Sequence, residues 1–327
     1  MEGRELLYRE AVAEAMYQEM ERDPSVFLMG EDVGCHGGAF KASVGLLEAF
    51  GPGRVRDTPI SESIIVGSAV GAAMTGQRPI AEIMYVDFST MAMDSIVNQA
   101  AKVKYMYGGG ATVPLTIRSA FGAGTGQAAQ HSQSFESIFN AVPGLWIVMP
   151  STPYDAKGLL KSAIRSNNVV VVLEHKLLYK ERGPVPKDDY VVDLGKAVVR
   201  REGEDVTIVA TSRMNRLAMA AAETLSGEGI DAEVIDPRTI KPLDMETIAA
   251  SVQKTNRVVV VNEGHRTGGL TSELAARIMD ACFYDLDAPV ARVASEDVPI
   301  PFNRGLEQAV IPSEHDIVKA AGKVMEQ

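Results

Sequence analysis

Residues 57–88 read DTPISESIIVGSAVGAAMTGQRPIAEIMYVDF. Glu62 stands at the head of a nearly uncharged segment. Ile64, Ile65 and Val66 follow it, then Gly67, Gly71 and Gly76 among alanines, and the next charge is Arg78. Thr58-Pro59 turns the chain, because proline restricts the residue before it. Ser61 is placed to cap a helix, with Glu62 in the first turn, where negative charge is favoured. A glycine in a helix interior costs about 1 kcal/mol relative to alanine. The glycines make sense if another backbone comes very close. Arg78-Pro79 ends the helix, residues 79–84 read as a strand, and Asp87 opens the next helix. A carboxylate leading such a helix is carried into a buried place, where it is hard to keep ionised without a partner. Met84 and Phe88 return beside it after one strand, so an apolar pocket floored by one acid is expected. For an acid taken at random, helix-end electrostatics is the commoner role.

The 327 residues, 46% of them hydrophobic, fit two domains. No apolar run approaches the length of a membrane span, and residues 1–21 do not read as a secretory leader. Cys35 and Cys282 lie far apart and form no metal-spaced pair, which implies free thiols in a reducing cytoplasm. The net charge of −11 disfavours nucleic acid and anionic membrane as partners.

Residues 4–22 read as an amphipathic helix with Tyr8, Val12, Met16 and Met20 on its core stripe. A strand follows at 26–29, then the loop GEDVGCHGGAF, in which His36 has no second histidine or cysteine at metal spacing and reads as a loop histidine. Residues 87–107 read as one long helix closed by Gly108, Gly109 and Gly110, and 113–118 as a strand. The loop AFGAGTGQAAQHSQSFE comes next. Its glycines fit neither the dinucleotide fingerprint nor the phosphate loop, and on spacing alone His131 reads as an exposed loop histidine. A strand at 145–149, a helix from Pro153 to about Arg165 and a strand at 169–173 complete the pattern. It restarts after a proline-containing stretch with strands at 206–210, 232–235, 257–261 and 290–293 between helices at 214–225, 244–252 and 271–281. Alternation of this kind predicts an α/β fold of two doubly wound, mainly parallel-sheet domains. They fall at 1–185 and 201–327, with a linker at 186–200. The stretch EGHRTGGLTSE reads as turn chemistry ahead of a phosphate site.

TPISE, the small-residue helix, RPIAEIMYVDF, AAQHSQSFE and PSTPYDAKGLL occur in that order. Together they resemble the β subunit of the thiamine diphosphate-dependent 2-oxo acid dehydrogenases, over essentially the whole chain. HKLLYKERGP and PSTPYDAKGLLKSAI look more like the acetoin branch than the pyruvate branch. The resemblance implies transketolase-like pyrimidine-binding and C-terminal domains. It implies thiamine diphosphate as cofactor, with Glu62 as the carboxylate on the pyrimidine nitrogen and Met84 and Phe88 lining the cofactor site. His131 becomes the histidine beside thiazolium and substrate, expected to stabilise charge on the oxygen of the bound intermediate and to help acyl transfer to a lipoyl group. A potassium ion is implied on the backbone carbonyls of Leu115, Ala163, Ile164, Ser166 and Asn168, although relatives often carry aspartate in place of Ser166.

The chain has no Gly-Asp-Gly, the sequence that holds the diphosphate and its metal in these enzymes. The diphosphate side, with Mg2+, is therefore expected from an α subunit, in an α2β2 assembly that serves a lipoyl-bearing acyltransferase core. The small-residue helix is a candidate contact in it. Acetoin is the favoured substrate, with pyruvate or a branched-chain 2-oxo acid as the alternative. A nicotinamide-dependent dehydrogenase and a non-catalytic stabilising subunit are the competing readings.

Overall fold

A computed structural model describes residues 4–327. The chain forms two compact units, one of residues up to Phe121 with Ile138–Leu194, the other of Gly122–Ser137 with Gly195–Gln327.

In the first unit six strands pair side by side in the order Leu145–Val148, Val169–His175, Thr116–Phe121, Arg78–Tyr85, Val26–Gly30, Val55–Asp57. Every one of these pairings is parallel. Val169–His175 is buried throughout, as its unbroken β-branched run demands. The helix Tyr8–Arg22 packs on Pro153–Arg165, and its stripe Tyr8, Val12, Met16 and Met20 lies in the core. Between these helices the side chains of Lys157 and Lys161 are buried. Lys157 is held by Glu14 at 2.8 Å and Lys161 lies 3.8 Å from Glu19, which Arg165 also pairs at 2.7 Å. Thr152 caps the second helix by accepting from the Asp155 amide, with Pro153 in its first turn.

Three expectations for this unit change. The first helix begins at Tyr8, because Glu5–Leu7 is instead a strand antiparallel to Arg182–Pro184. Ser61 precedes the helix Glu62–Met74 but makes no side-chain cap, its backbone lying at φ −161°, ψ 84°. Residues 87–107 do not form one α-helix. The chain winds as a 3₁₀-helix over Val86–Ala92, widens to a π-helix over Asp94–Ala100, and becomes α-helical over Ala101–Met106. Apolar spacing announces a helix but does not fix its hydrogen-bond offset.

The second unit holds a five-stranded sheet in the order Ala291–Ser295, Val258–His265, Val206–Ala210, Ala232–Asp236, Val198–Arg201. The last strand is antiparallel and the others parallel. Val198–Arg201 begins inside the range 186–200 read as linker, and its residues are a sheet edge. Helices Arg213–Gly227 and Glu314–Met325 pack against each other, and Ala218, Ala222, Ile317 and Ala321 enter one core with Val206, Ile208 and Val234. The Gly122–Ser137 segment folds with this unit although it interrupts the first in sequence.

Candidate active site

Glu62 is the first residue of the helix Glu62–Met74 and is only 8% exposed. Among the described residues no donor reaches its carboxylate. The helix around it is packed on the strand Arg78–Tyr85 and the turn Val86–Ala92. Met84 is the next-to-last residue of that strand and Phe88 lies in that turn, both half-buried. Phe88 begins a line of rings: it meets Tyr85 edge-on at 6.2 Å, Tyr85 meets Phe40 at 5.5 Å, and Phe40 stacks on Tyr179 at 4.9 Å.

The line ends on a buried charge cluster. Arg118 reaches Glu174 with two nitrogens at 2.7 Å each and Glu82 with a third at 2.6 Å. The Tyr179 hydroxyl donates to Glu174 at 2.9 Å. Burial pulls the guanidinium down, but the Glu174 and Glu82 charges outweigh it and hold Arg118 above its ordinary value. Glu82 is raised by burial, against the pull of Arg118. Glu31, directly after the strand Val26–Gly30, was not singled out in the sequence. It is buried, and among the described residues its Oε1 has no hydrogen-bond partner. Burial raises its carboxyl, and the charges of Glu62, Asp32 and Glu82 raise it further. Two buried carboxyl groups thus share one field, with Glu31 as the second acid. The only hint in the sequence is its place at the end of a strand, where parallel sheets hold their sites.

His131 lies half-buried in the second unit, on the loop Gly122–Ser137. The loop is tied at its base by the Gly122 amide donating to the Gln133 carbonyl at 3.1 Å. The Ala123 amide donates to Glu263 at 2.6 Å, and the Gly124 and Gly126 amides to Glu307 at 2.8 and 3.0 Å. Gly122, Gly124 and Gly126 all have positive φ, a backbone that turns successive amides inward around an anion. At the loop's end Glu136 is buried, and among the described residues neither oxygen finds a hydrogen bond of normal geometry. Burial pushes this carboxyl up to about 7; the Asn262 amide opposes that and the Glu263 charge adds to it.

Four of the five carbonyls expected to hold a cation, those of Leu115, Ala163, Ile164 and Ser166, already accept bonds. Leu115 accepts from the Val170 amide and Ala163 from the Ser166 amide, at 2.9 and 3.1 Å. Arg78 donates to Ile164 at 2.9 Å and Ser166 at 2.6 Å, and Lys104 donates to the Asn168 side chain at 2.9 Å. In the loop after Gly30, ligand atoms of Asp32, Cys35 and His36 come within 4.8 Å of one another, all exposed. Histidine and cysteine spacing alone does not reveal Asp32 there, because its carboxylate joins the pair only through the fold of the loop. In the second unit, the turn before Leu270 does not offer its amides to an anion freely, since Asp297 takes the Thr267 amide and hydroxyl at 3.0 and 2.6 Å.

The family descriptions "Transketolase, pyrimidine binding domain" and "Transketolase, C-terminal domain" match residues 4–182 and 195–317. The chain is 48% identical to the 2-oxoisovalerate dehydrogenase subunit beta of Bacillus subtilis, over 92% of this chain and 93% of that one. This chain belongs to the E1 β subunits of the 2-oxo acid and acetoin dehydrogenases. It is also 48% identical to a mitochondrial pyruvate dehydrogenase E1 component subunit beta-2 of rice, Oryza sativa subsp. japonica, covering 98% of this chain and 86% of that one. To the acetoin:2,6-dichlorophenolindophenol oxidoreductase subunit beta of Bacillus subtilis it is 44% identical, over 94% of each. A split-gene transketolase, described as an inactive β4 tetramer, superposes with a TM-score of 0.79 at 24% identity over 98% of both chains, which shows the fold.

β subunits of this family act with thiamine diphosphate, and they pair with an α subunit and a lipoyl acyltransferase core. The residues present fit the pyrimidine side of that cofactor. A buried carboxylate without a protein donor, beside a second acid with an orphaned oxygen, suits a ligand that brings its own N–H.

Proposed function

We propose that this β subunit supplies the pyrimidine half of a thiamine diphosphate site in an α2β2 component that cleaves acetoin and passes the acetyl unit to a lipoyl group. The observation that carries this is the buried, donor-free carboxylate of Glu62 at the head of its helix. When bound, the cofactor supplies the carbanion chemistry. Glu62 would hold a proton at the pyrimidine nitrogen and so favour the imino tautomer, whose exocyclic nitrogen can act as base. Met84 and Phe88 would line the ring's side of the site and help exclude water. His131 would stabilise charge on the oxygen of the bound intermediate and help its acyl group pass to the lipoyl disulfide, whose S–S bond breaks as one sulfur takes the acyl group and the other takes the electron pair and a proton. The α subunit holds the diphosphate through Mg2+.

The carbonyls of Leu115, Ala163, Ile164, Ser166 and Asn168 are the proposed potassium ligands; a carbonyl that already accepts one bond keeps a second lone pair. The domain limits proposed are 1–185 and 201–327, and the compartment the cytoplasm. No helix is long and apolar enough to cross a membrane among the described residues.

Acetoin is favoured by HKLLYKERGP at 175–184 and by the run PSTPYDAKGLLKSAI. The 48% identity to the pyruvate and 2-oxoisovalerate relatives favours a 2-oxo acid as second reading. Assay of the co-purified α and β chains on acetoin, pyruvate and 2-oxoisovalerate tests this. Highest kcat/KM on acetoin is expected; highest on either acid replaces acetoin with it.

A further inference from the structure

The loop that carries His131 is held by two buried carboxylates of the C-terminal unit. Glu307 is 1% exposed, and among the described residues it makes no ion pair within 4 Å. Each of its oxygens takes one loop amide, Oε1 that of Gly124 and Oε2 that of Gly126. Glu263 is 5% exposed and divides its oxygens between the Ala123 amide and Arg213, the latter at 3.1 Å. Beneath them Ala123 packs on Ile300 and Ile311. A buried carboxylate paired only with backbone amides is a costly way to stabilise a fold, since apolar packing serves stability as well or better. What amides around a carboxylate do give is a fixed backbone: two directional bonds to one rigid group set the path of three consecutive residues. The bond from the Gly122 amide to the Gln133 carbonyl carries that path across the loop, to within two residues of His131.

We propose that Glu307, assisted by Glu263, is a positioning residue for acyl transfer: by holding the Gly124 and Gly126 amides it sets the loop geometry from which His131 works. This rests on the role given to His131 above. The side chain of Glu307 touches no reacting atom. Its effect passes through the loop, so it acts on the step that uses His131 and not on the step that uses Glu62.

The test uses the complete α and β assembly with Glu307→Ala and Glu307→Gln, alongside His131→Ala. The glutamine keeps the volume but turns an N–H against one of the two amides, so it separates loss of the clamp from failure to fold. Hydrogen exchange over residues 122–137 reads the clamp without reference to activity. Two rates read its consequence: reduction of 2,6-dichlorophenolindophenol, which bypasses the lipoyl group, and acylation of a free lipoyl domain. Exchange is expected to speed up in both Glu307 variants, more in the alanine. Lipoyl acylation is expected to fall by about tenfold or more through kcat while the dye rate stays within about twofold, because displacement of a working group by an ångström costs up to about a hundredfold. Unchanged exchange overturns the proposal. So does faster exchange with unchanged acylation while His131→Ala abolishes it. If His131→Ala itself leaves acylation intact, the role of His131 fails and the positioning role falls with it, whereas the exchange result still reports whether the clamp exists.

Discussion

Arg118 and Glu174 face each other as two flat groups, with two nitrogen–oxygen contacts of 2.7 Å and side-chain exposures of 2% and 1%. The third partner, Glu82, comes from the neighbouring strand, so three adjacent parallel strands contribute one charge each. The ring line from Phe88 joins this cluster through Tyr179, whose hydroxyl donates to Glu174. Removing the cation alone strands two carboxylates in a dry interior. Arg118→Met should therefore destabilise the chain by about 3–5 kcal/mol, read as a lower urea midpoint with the slope unchanged. Loss of less than about 1 kcal/mol would show that water reaches the cluster.

Glu136 gives the second unit a pH dependence of known sign. Its carboxyl is raised from 4.5 to about 7 in the folded chain. In that window the unfolded chain has released a proton that the folded chain keeps, so folding is favoured at low pH. That stability is fully present below about 4.5 and is lost as pH rises through about 7, amounting to roughly 3 kcal/mol. Glu136→Gln removes the titration. Its melting temperature should match the parent at pH 5 and exceed it at pH 8. An equal difference at both values would contradict the shift.

Gly71 lies exposed on the helix Glu62–Met74, and a methyl added there meets nothing within 4 Å. Ile60 and Ile64, 82% and 68% exposed, stand on or beside the same helix. Of the helix's glycines, only Gly67 has a close neighbour in its own chain, Ser95 Oγ at 3.3 Å from such a methyl. The small residues at the exposed positions are thus not explained by packing within this chain, and they suit a second polypeptide. Gly71→Leu should leave the melting temperature of the isolated β chain within about 2 °C, since exposed substitutions shift stability by about 0.5 kcal/mol or less. It should impair assembly with α in sedimentation velocity. A normal complex would remove this helix from the interface.

His131→Ala should reduce acylation of lipoyl groups by about a hundredfold while substrate cleavage read with an artificial dye persists, because loss of one charge-stabilising donor costs about that much. Equal loss of both activities would assign His131 to the earlier chemistry.

What the sequence revealed and what it hid divide by distance along the chain. The helix at Glu62, the proline start at Pro153 and the β-branched strand at Val169 are local signals, set by neighbours three or four residues away. The strand Glu5–Leu7 is invisible because its partner, Arg182–Pro184, arrives only near the end of the first unit. The affiliation of the His131 loop is hidden for the same reason, its anchors being 140 to 183 residues downstream. Composition also misleads at single positions. Lys157 and Lys161 look like solvent-facing charges, yet their side chains are fully buried on acids of another helix. Glu31 looks like one of several loop acids, and only burial beside Glu62 sets it apart.

The half-site at Glu62 is tested most directly by Glu62→Gln in the complete assembly, with turnover measured on the best substrate and complex formation checked in the same preparation. Glutamine keeps the size but cannot accept and return the pyrimidine proton, so turnover should fall by at least about a thousandfold, within the range carried by general acid–base groups, while α and β remain associated. An intact complex that turns over at more than a tenth of the parent rate would contradict the account, because the acid on which the site is built would then be dispensable.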